Sequence, residues 1–329
     1  MVVSTKIHIN EGFALALEGR PRSILVTGAN GRLGSAVVKR LRAAGFLVHD
    51  RTRAELDIAD AEGVQETVAE LRSDVIVNAA AYTDVARAPL DPEALRRANV
   101  EGPAVLAACA ARFGARLVHF STDYVFSGGG LKSHRESDPR HPAGAYGRSK
   151  ALGEARIECS GARYWIVRIG WLHGAGNDFV VRVLDQALAG KRIVMRRNQW
   201  GRPTSYDAAA RLSVALCGHA EVTGRMCGVF HFGQSGACVS RFGWAQFVLR
   251  RAAEIAPEQA EIFLEAARGM QGVRLFDPER PENCRLALRD LEARLGIRAN
   301  AFCPSWRDDV SASVAARLGA LSRGSFEST

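Results

Sequence analysis

A glycine-rich turn between an apolar strand and a helix is the feature that most constrains the fold of this chain. The apolar run 24–27 leads directly into the stretch 28–34, G-A-N-G-R-L-G, and then into a helical pattern. Gly28 permits a tight turn, Gly31 lets the backbone approach a pyrophosphate at the helix N-terminus, and Gly34 allows the helix to pack closely on the strand. In a chain with 32 glycines, the spacing of these three glycines alone is weak evidence for a ligand site. The position of the turn after the first strand of a βαβ unit is what supports the prediction. The turn predicts a dinucleotide site with contacts from Gly28, Asn30, Gly31, Arg32, Leu33 and Gly34.

The first half of the chain alternates short apolar runs with longer amphipathic ones. The near-continuous hydrophobicity of the short runs indicates strands that are covered on both faces. Their alternation with helical patterns predicts an α/β fold, a Rossmann-type doubly wound parallel sheet with right-handed crossovers. The predicted strands are at 24–26, 47–49, 75–77, 117–120 and 165–169, and the predicted helices are at 32–44, 62–72 and 92–113, the last with Asp91 as its N-cap.

After residue 170 the regular alternation of short apolar runs and amphipathic runs ends. A helix near 177–189 and a short apolar run at 193–195 precede a further strand at 229–232, and most of the remaining chain has a helical pattern. We therefore expect a smaller mixed α/β C-terminal substrate-binding domain beside the sheet. The predicted divisions are an N-terminal extension at 1–22, a dinucleotide-binding Rossmann domain at 23–170 and a mainly substrate-binding domain at 171–329, from which about 205–233 returns to the Rossmann domain.

Composition argues against several classes of protein. The formal net charge is +9, but the arginines that dominate it are scattered among acids, so no nucleic-acid surface is predicted. The longest apolar run, 104–111, is far too short to cross a bilayer, and 1–22 has no pattern of a secretory signal, so no membrane association is expected. Seven cysteines without a C-x-x-C pair indicate free thiols in a reducing cytoplasm, and no metal site is predicted.

The end of the second predicted strand carries the residues that bear on cofactor choice. An acid at this place usually binds the ribose hydroxyls of NAD, whereas an arginine accommodates the 2′-phosphate of NADP. Here the chain has Asp50, Arg51 and Arg53. One interpretation is a solvated turn, and the other is that Arg51 or Arg53 binds a 2′-phosphate. The second favours NADPH as cofactor and leaves NADH open.

Hydroxyl side chains follow the fourth predicted strand, at the sheet edge where open α/β folds bind ligands. Ser121 and Thr122 end this strand, and Tyr146 and Lys150 come about 20 residues later. A spacing of four places Tyr146 and Lys150 on one helical face, where an ammonium is expected to lower the pKa of the phenol. A Y-x-x-x-K pair alone is common on protein surfaces, but together with the glycine turn it predicts a proton donor.

These motifs resemble those of the extended short-chain dehydrogenase/reductases and, within them, the dTDP-4-dehydrorhamnose reductases. The resemblance extends over roughly 23–321. The glycine turn and the Tyr/Lys pair are typical of the whole superfamily. Three strings narrow the resemblance to the reductase branch: S-T-D-Y-V-F at 121–126, Q-x-G-x-P-T at 199–204 and R-P-x-N at 280–283.

The resemblance implies a reduction of the C4 keto group of dTDP-4-dehydro-L-rhamnose to give dTDP-L-rhamnose. Tyr146 would donate the proton to the carbonyl oxygen, and Lys150 would hold the nicotinamide ribose and tune Tyr146. Thr122, helped by Ser121, would hydrogen-bond the carbonyl oxygen. The resemblance places Asp57, Ile58, Ala81, Tyr82, Thr83 and Phe120 at the cofactor, and Val85, Thr122, Asp123, Tyr124, Trp171 and Arg280 at the nucleotide sugar.

Departures from the family pattern all fall on the substrate side. Arg196 and Arg197 stand where two acids are usual, His173 stands where an aromatic often follows Trp171 by two, and Arg241 stands at a frequent tryptophan. They leave open a reductase or epimerase that acts on another nucleotide sugar. A non-catalytic NADP-binding regulatory subunit, resembling that of methionine adenosyltransferase, is a further alternative, which the intact Thr122, Tyr146 and Lys150 oppose. A homodimer also stays open.

Overall fold

A computed structural model describes residues 22–219, 227–297 and 303–324. Its centre is a six-stranded sheet in which every neighbouring pair of strands is parallel. The elements up to the fifth strand are β1 (Ser23–Thr27), α1 (Arg32–Ala43), β2 (Leu47–Arg51), α2 (Ala61–Leu71), β3 (Val75–Asn78), α3 (Pro92–Arg96), α4 (Gly102–Phe113), β4 (Arg116–Thr122), α5 (Ala145–Glu158) and β5 (Arg163–Ile169).

The later part of the chain contains shorter strands and more helix. Its elements are β6 (Leu172–His173), α6 (Phe179–Leu188), β7 (Val194–Arg196), β8 (Trp200–Gly201), β9 (Thr204–Ser205), α7 (Tyr206–His219), β10 (Gly228–Phe232), β11 (Val239–Ser240), α8 (Arg241–Ile255), α9 (Ala260–Gly269), β12 (Gln271–Val273), α10 (Arg289–Leu295) and α11 (Trp306–Gly324).

The order of strands in the large sheet is β10-β5-β4-β3-β1-β2, and the predicted Rossmann-type α/β fold is confirmed. Apolar side chains on one face pack with α1 and α7, and those on the other face pack with α2 and α4. A third apolar cluster joins α6, α8, α9 and α11. Strand β10 pairs with β5 even though it lies far along the chain, and α7 packs against α1.

The predicted helix at 92–113 is wrong as a single helix. The structure has α3, then a π-helical turn at 97–101, then α4. Pro103 explains the change, because it has no N–H to donate to the carbonyl of Asn99 and its ring would clash there in a regular α-helix. Asp91 provides no side-chain cap, and its carboxylate instead accepts a hydrogen bond from the phenol of Tyr82 at 2.8 Å.

Two further expectations change with the structure. Strand β2 is not covered on both faces, because it lies at the edge of the sheet and Leu47 is 50% exposed. Of the predicted N-terminal extension, 1–21 lies outside the described residues, and Arg22 is buried against the carbonyl of Cys217. Among the described residues no helix is long and apolar enough to cross a membrane, and no group of side chains could hold a metal ion.

Candidate active site

The glycine turn after β1 forms the first part of the site. Gly28 has a φ of +69°, which a glycine adopts readily, and a Cβ there would lie 2.7 Å from the Cα of Ala80. A Cβ on Gly34 would collide with the carbonyl oxygen of Gly28, so α1 packs directly on the turn. Helix α1 begins after Gly31, which has no side chain to cap its N–H groups. Side chains at Gly28 and Gly34 would collide with backbone atoms, so only glycines allow this tight turn, whose shape fits a pyrophosphate at the helix N-terminus.

The carboxyl end of β2 leaves arginine side chains beside this turn. The carboxylate of Asp50 pairs with Arg42 of α1 at 2.5 Å, so it is already neutralised from the helix side. The guanidinium of Arg51 donates to the backbone carbonyl of Asp50 at 3.0 Å, and Arg53 is exposed. This arrangement agrees with a positively charged rim at the adenosine end of a dinucleotide, where an arginine can face a 2′-phosphate.

The loops after β2 and β3 carry the other predicted cofactor residues. Asp57 accepts from the backbone N–H of Ala59 and pairs with Arg97 at 2.8 Å; both contacts lower the pKa of its carboxyl. Asn99, in the π-helical turn, accepts from the N–H of Tyr82 at 2.9 Å and donates to its carbonyl at 3.0 Å. The irregular turn thereby fixes the loop after β3. In these loops Ile58 is buried, Ala81 and Val85 are half-buried, and Thr83 is exposed.

Thr122 and Tyr146 meet at the carboxyl end of β4. The hydroxyl of Thr122 donates to Asp123 at 3.1 Å and lies beside the phenol of Tyr146. The ring of Tyr146 packs edge-to-face against that of Tyr124, with 6.0 Å between centroids. Burial raises the pKa of Tyr146, and the neighbouring Thr122 opposes that shift only partly. The phenol therefore stays protonated near neutral pH, as a proton donor requires.

Lys150 does not act on Tyr146 as expected. Its Nζ donates to the carbonyl of Phe120 at 2.7 Å and lies 3.1 Å from Nε2 of His119. Burial lowers the pKa of Lys150 to about 8, although the carboxylate of Glu154 opposes the shift. The predicted lowering of the pKa of Tyr146 by an ammonium is absent, because the pKa of that phenol is raised by burial and Lys150 contributes nothing to it.

Ser121 also differs from its expected role. Its hydroxyl donates to Glu154 at 2.5 Å, so its hydrogen is not directed at a substrate carbonyl. Glu154 is fully buried and forms a two-point pair with Arg168, at 3.0 and 2.7 Å, and a contact with Arg140 at 3.2 Å. We infer that Ser121 anchors strand β4 to helix α5. The sequence signal for Glu154 was its position four residues after Lys150, on the same helical face.

The string Q-x-G-x-P-T positions an aromatic side chain. The backbone N–H of Thr204 donates to the carbonyl of Trp171 at 3.2 Å, and a Cβ on Gly201 would lie 2.6 Å from the Trp171 ring. Gln199 donates to the phenol oxygen of Tyr124 at 3.1 Å. The string is therefore more than a turn, because it contacts two of the predicted substrate residues, Trp171 and Tyr124.

Several buried polar atoms of this region have no hydrogen-bond partner among the described residues. Asp123 is 2% exposed, and burial raises the pKa of its carboxyl to about 7. His173 is fully buried, and burial lowers the pKa of its ring to about 4. The unpartnered atoms are Asp123 Oδ2, Trp171 Nε1, His173 Nδ1, His173 Nε2 and Thr204 Oγ1.

The arginines that depart from the family pattern lie around this region. The guanidinium of Arg241 stacks over the ring of Trp171 at 3.8 Å from the centroid. Asp277 pairs with Arg196 at 2.7 Å and with Arg280 at 3.4 Å, so one carboxylate holds both. Arg197 instead stacks over Phe242 at 4.4 Å. Three of these cations thus have structural partners that local sequence could not reveal, and Arg280 keeps a half-exposed guanidinium.

The parallel sheet, the glycine turn and the paired Thr122 and Tyr146 define a Rossmann-type protein of the short-chain dehydrogenase/reductase kind. Residues 22–318 match the family model described as the RmlD substrate binding domain, and the chain belongs to this family.

Two relatives and one solved structure illustrate the similarity. A protein of Streptomyces griseus named dTDP-4-dehydrorhamnose reductase is 39% identical over 221 residues, 66% of this chain and 72% of the relative. One of the same name from Burkholderia thailandensis is 32% identical over 292 residues, 86% of this chain and 95% of the relative. The crystal structure of dTDP-4-dehydrorhamnose reductase from Bacillus anthracis in complex with NADP has a TM-score of 0.73 and 26% identity, and the match covers 88% of this chain and 97% of that one.

Proposed function

We propose that this protein is an oxidoreductase that uses NADPH to reduce the C4 keto group of dTDP-4-dehydro-L-rhamnose, giving dTDP-L-rhamnose. The observation that carries the proposal is the neighbouring pair of Thr122 and Tyr146, a hydroxyl and a protonated phenol at the sheet edge next to the glycine cradle. The family and the names of the relatives supply the substrate class.

The reaction needs a proton on the carbonyl oxygen and groups that stabilise the charge developing there. NADPH, when bound, supplies the hydride. Tyr146 donates its phenol proton to the oxygen, and the hydroxyl of Thr122 turns its hydrogen from Asp123 to donate a hydrogen bond to it. The ring of Tyr146 is already held in place by Tyr124, so on this side only the hydroxyl hydrogen of Thr122 has to move.

The cofactor would lie along the carboxyl edge of β1 to β4. The cradle would bind its diphosphate, Arg51 or Arg53 would bind the 2′-phosphate, and Lys150 would hold the nicotinamide ribose. NADH fits the same cradle, and the arginines favour NADPH. The further residues that we assign to the cofactor are Asp57, Ile58, Ala81, Tyr82, Thr83 and Phe120.

The nucleotide sugar would bind on the other side of Tyr146. Trp171, whose ring is covered by Arg241, would contribute its indole Nε1–H, and Arg280 offers a guanidinium that suits a diphosphate. We assign Val85, Asp123 and Tyr124 to the same site. The division into a dinucleotide-binding part at 23–170 and a mainly substrate-binding part at 171–329 is supported by the separate apolar cluster of α6, α8, α9 and α11. All seven cysteines are free thiols, which supports action in a reducing cytoplasm.

Product identification with a panel of nucleotide 4-keto sugars tests this function. We expect NADPH oxidation with dTDP-4-dehydro-L-rhamnose and formation of dTDP-L-rhamnose, which NMR and mass spectrometry would identify. Tyr146→Phe removes the proton donor and should lower turnover by about 100-fold or more while leaving NADPH affinity nearly intact. Tyr164→Phe, on β5, is the matched control and should retain activity.

Two results would overturn the proposal in different ways. Turnover with another keto sugar alone would reassign the substrate. NADPH binding without turnover of any keto sugar, and with Tyr146→Phe indistinguishable from the unsubstituted chain, would favour a regulatory binding subunit.

A further inference from the structure

A row of buried polar side chains runs across three neighbouring strands and ends at Lys150. The strand register pairs Thr27 with Asn78, and Asn78 with His119. The hydroxyl of Thr27 donates to Asn78 Oδ1 at 2.9 Å, and Asn78 Nδ2 lies 3.0 Å from His119 Nδ1. His119 Nε2 in turn lies 3.1 Å from Lys150 Nζ. All four side chains are buried, so the hydrogens between them must each face an acceptor.

The backbone determines how the amide of Asn78 is oriented. The N–H of Ala80 donates to Asn78 Oδ1 at 3.1 Å, and an N–H can only donate, so the oxygen must face it. Nδ2 therefore faces His119 and donates to Nδ1. Burial holds the pKa of His119 well below its usual value, so the ring is neutral. With Nδ1 accepting, its single hydrogen is on Nε2, which points at Lys150.

This hydrogen requires an acceptor on the lysine. An ammonium has three donors and no lone pair, whereas an amine has two donors and one lone pair. The carbonyl of Phe120, at 2.7 Å, accepts one hydrogen of Nζ in either form. We propose that Asn78 and His119 together stabilise the amine form of Lys150 relative to its ammonium form, which makes His119 a positioning residue of the active site.

The charged surroundings of Lys150 agree with this assignment. Glu154, one turn further along α5, favours the ammonium, but it already accepts hydrogen bonds from Ser121 and Arg168. Burial outweighs its influence and brings the pKa of Lys150 to about 8. The group that faces Lys150 from β4 is His119, whose Nε2–H stabilises the amine.

The inference rests on the proposed function, which places Lys150 in an active site. Each reduction breaks the O–H bond of Tyr146 and forms the O–H bond of the product, so the phenolate must regain one proton. An ammonium form of Lys150 that gives up this proton becomes the amine. His119 then stabilises the amine of Lys150 that remains. A group with a pKa near the working pH exchanges protons efficiently, which a lysine with an ordinary pKa would not.

Direct titration of Lys150 tests the proposal without any substrate. The chain has only five lysines, so a full-length protein labelled at the lysine side-chain carbons gives few NMR signals, and Lys150→Met assigns the relevant one. We expect Lys150 to titrate about two pH units below the other lysines. Nitrogen-15 spectra should show His119 with its hydrogen on Nε2.

Two substitutions should change the preferred form of the lysine. In His119→Gln the amide oxygen can accept from an ammonium, so the pKa of Lys150 should rise by about one unit or more. In Asn78→Asp a carboxylate oxygen would accept from Nδ1–H, which moves the hydrogen off Nε2 and should also raise this pKa. Thr27→Val is the matched control, because Ala80 still orients Asn78, and it should leave the pKa of Lys150 unchanged.

The proposal fails if Lys150 titrates with the other lysines, if the hydrogen of His119 is on Nδ1, or if the Thr27→Val and His119→Gln proteins shift equally. A Lys150 pKa that responds as expected in a protein without turnover on keto sugars would overturn the proposed function and leave the hydrogen-bond assignment standing.

Discussion

The cofactor side and the substrate side of this active site differ in how their buried polar groups are satisfied. On the cofactor side, Glu154 accepts from Ser121 and Arg168, and Asn78 and His119 form a continuous row. On the substrate side, Asp123 and His173 are as deeply buried but have polar atoms without partners among the described residues. An unpartnered buried polar group costs about 1–3 kcal/mol, so the two sides should respond oppositely to the loss of a polar side chain.

Arg168→Met should have the largest effect on stability. It leaves the carboxylate of Glu154 buried with Arg140 as its remaining cationic partner, and we expect a loss of about 4 kcal/mol in the free energy of unfolding. Urea denaturation followed by circular dichroism measures it. The control is Arg274→Met, whose exposed pair with Glu282 at 3.9 Å should contribute less than about 0.5 kcal/mol. Equal losses in the two variants would mean that the paired groups do not stabilise the cofactor side.

Asp123→Asn should change how stability depends on pH. The pKa of this carboxyl rises from 3.8 to about 7 on folding, so the native state binds the proton more tightly than the unfolded state does. Stability of the unsubstituted protein therefore falls as pH rises between these values. The Asn variant lacks this dependence and should gain on the order of 3 kcal/mol relative to the unsubstituted protein between about pH 4 and pH 8.

Denaturation at several pH values measures this difference. Glu66→Gln, at an exposed position of α2, is the control and should follow the unsubstituted protein. An unchanged pH dependence of stability in Asp123→Asn would show that the buried carboxylate of Asp123 does not destabilise the folded protein.

The same contrast explains what the sequence could predict. The glycine turn and the helical spacing of Tyr146 and Lys150 were predictable, because both depend on residues close together in the chain. The row that ends at Lys150 was not, since it depends on the register of β1, β3 and β4. The prediction about the pKa of Tyr146 had the wrong direction, because pairing across a helix is visible in a sequence and burial is not. The π-helical turn was missed for a related reason: Pro103 was visible, but the way in which the helix widens to accommodate it was not.

His173→Phe should stabilise the protein. The substitution removes two buried ring nitrogens that have no partner in the described part of the chain and keeps a ring against Trp244, whose centroid is 5.7 Å away, so we expect a gain of about 1–2 kcal/mol near pH 7. The gain should grow as pH falls from 6.5 to about 4, because only the unfolded histidine gains a proton in that interval.

The matched comparison is His231→Phe. The ring of His231 contacts the carbonyl of Ala287 at 3.2 Å and Arg168 at 3.4 Å, so its loss should destabilise the protein. Thermal unfolding of both variants across this pH interval shows whether each substitution raises or lowers the stability of the protein. If both variants lost stability, the difference between the two sides would not come from unpartnered polar atoms.

Arg51→Asp should have the smallest effect, because it acts at a partly exposed position and changes only a ligand contact. The carboxylate would repel a 2′-phosphate and could accept from ribose hydroxyls, so the preference for NADPH over NADH should fall by about 1 kcal/mol, roughly fivefold, or reverse. Calorimetric titration with both cofactors measures the difference between the affinities for NADPH and NADH. Arg72→Asp, at the far end of α2, is the control. The thermal stability of the cofactor-free protein should hardly change, since Arg51 pairs with no acid within the described residues and donates only to the carbonyl of Asp50. Equal affinities in the unsubstituted protein, unaffected by Arg51→Asp or Arg53→Asp, would remove both arginines from the cofactor site.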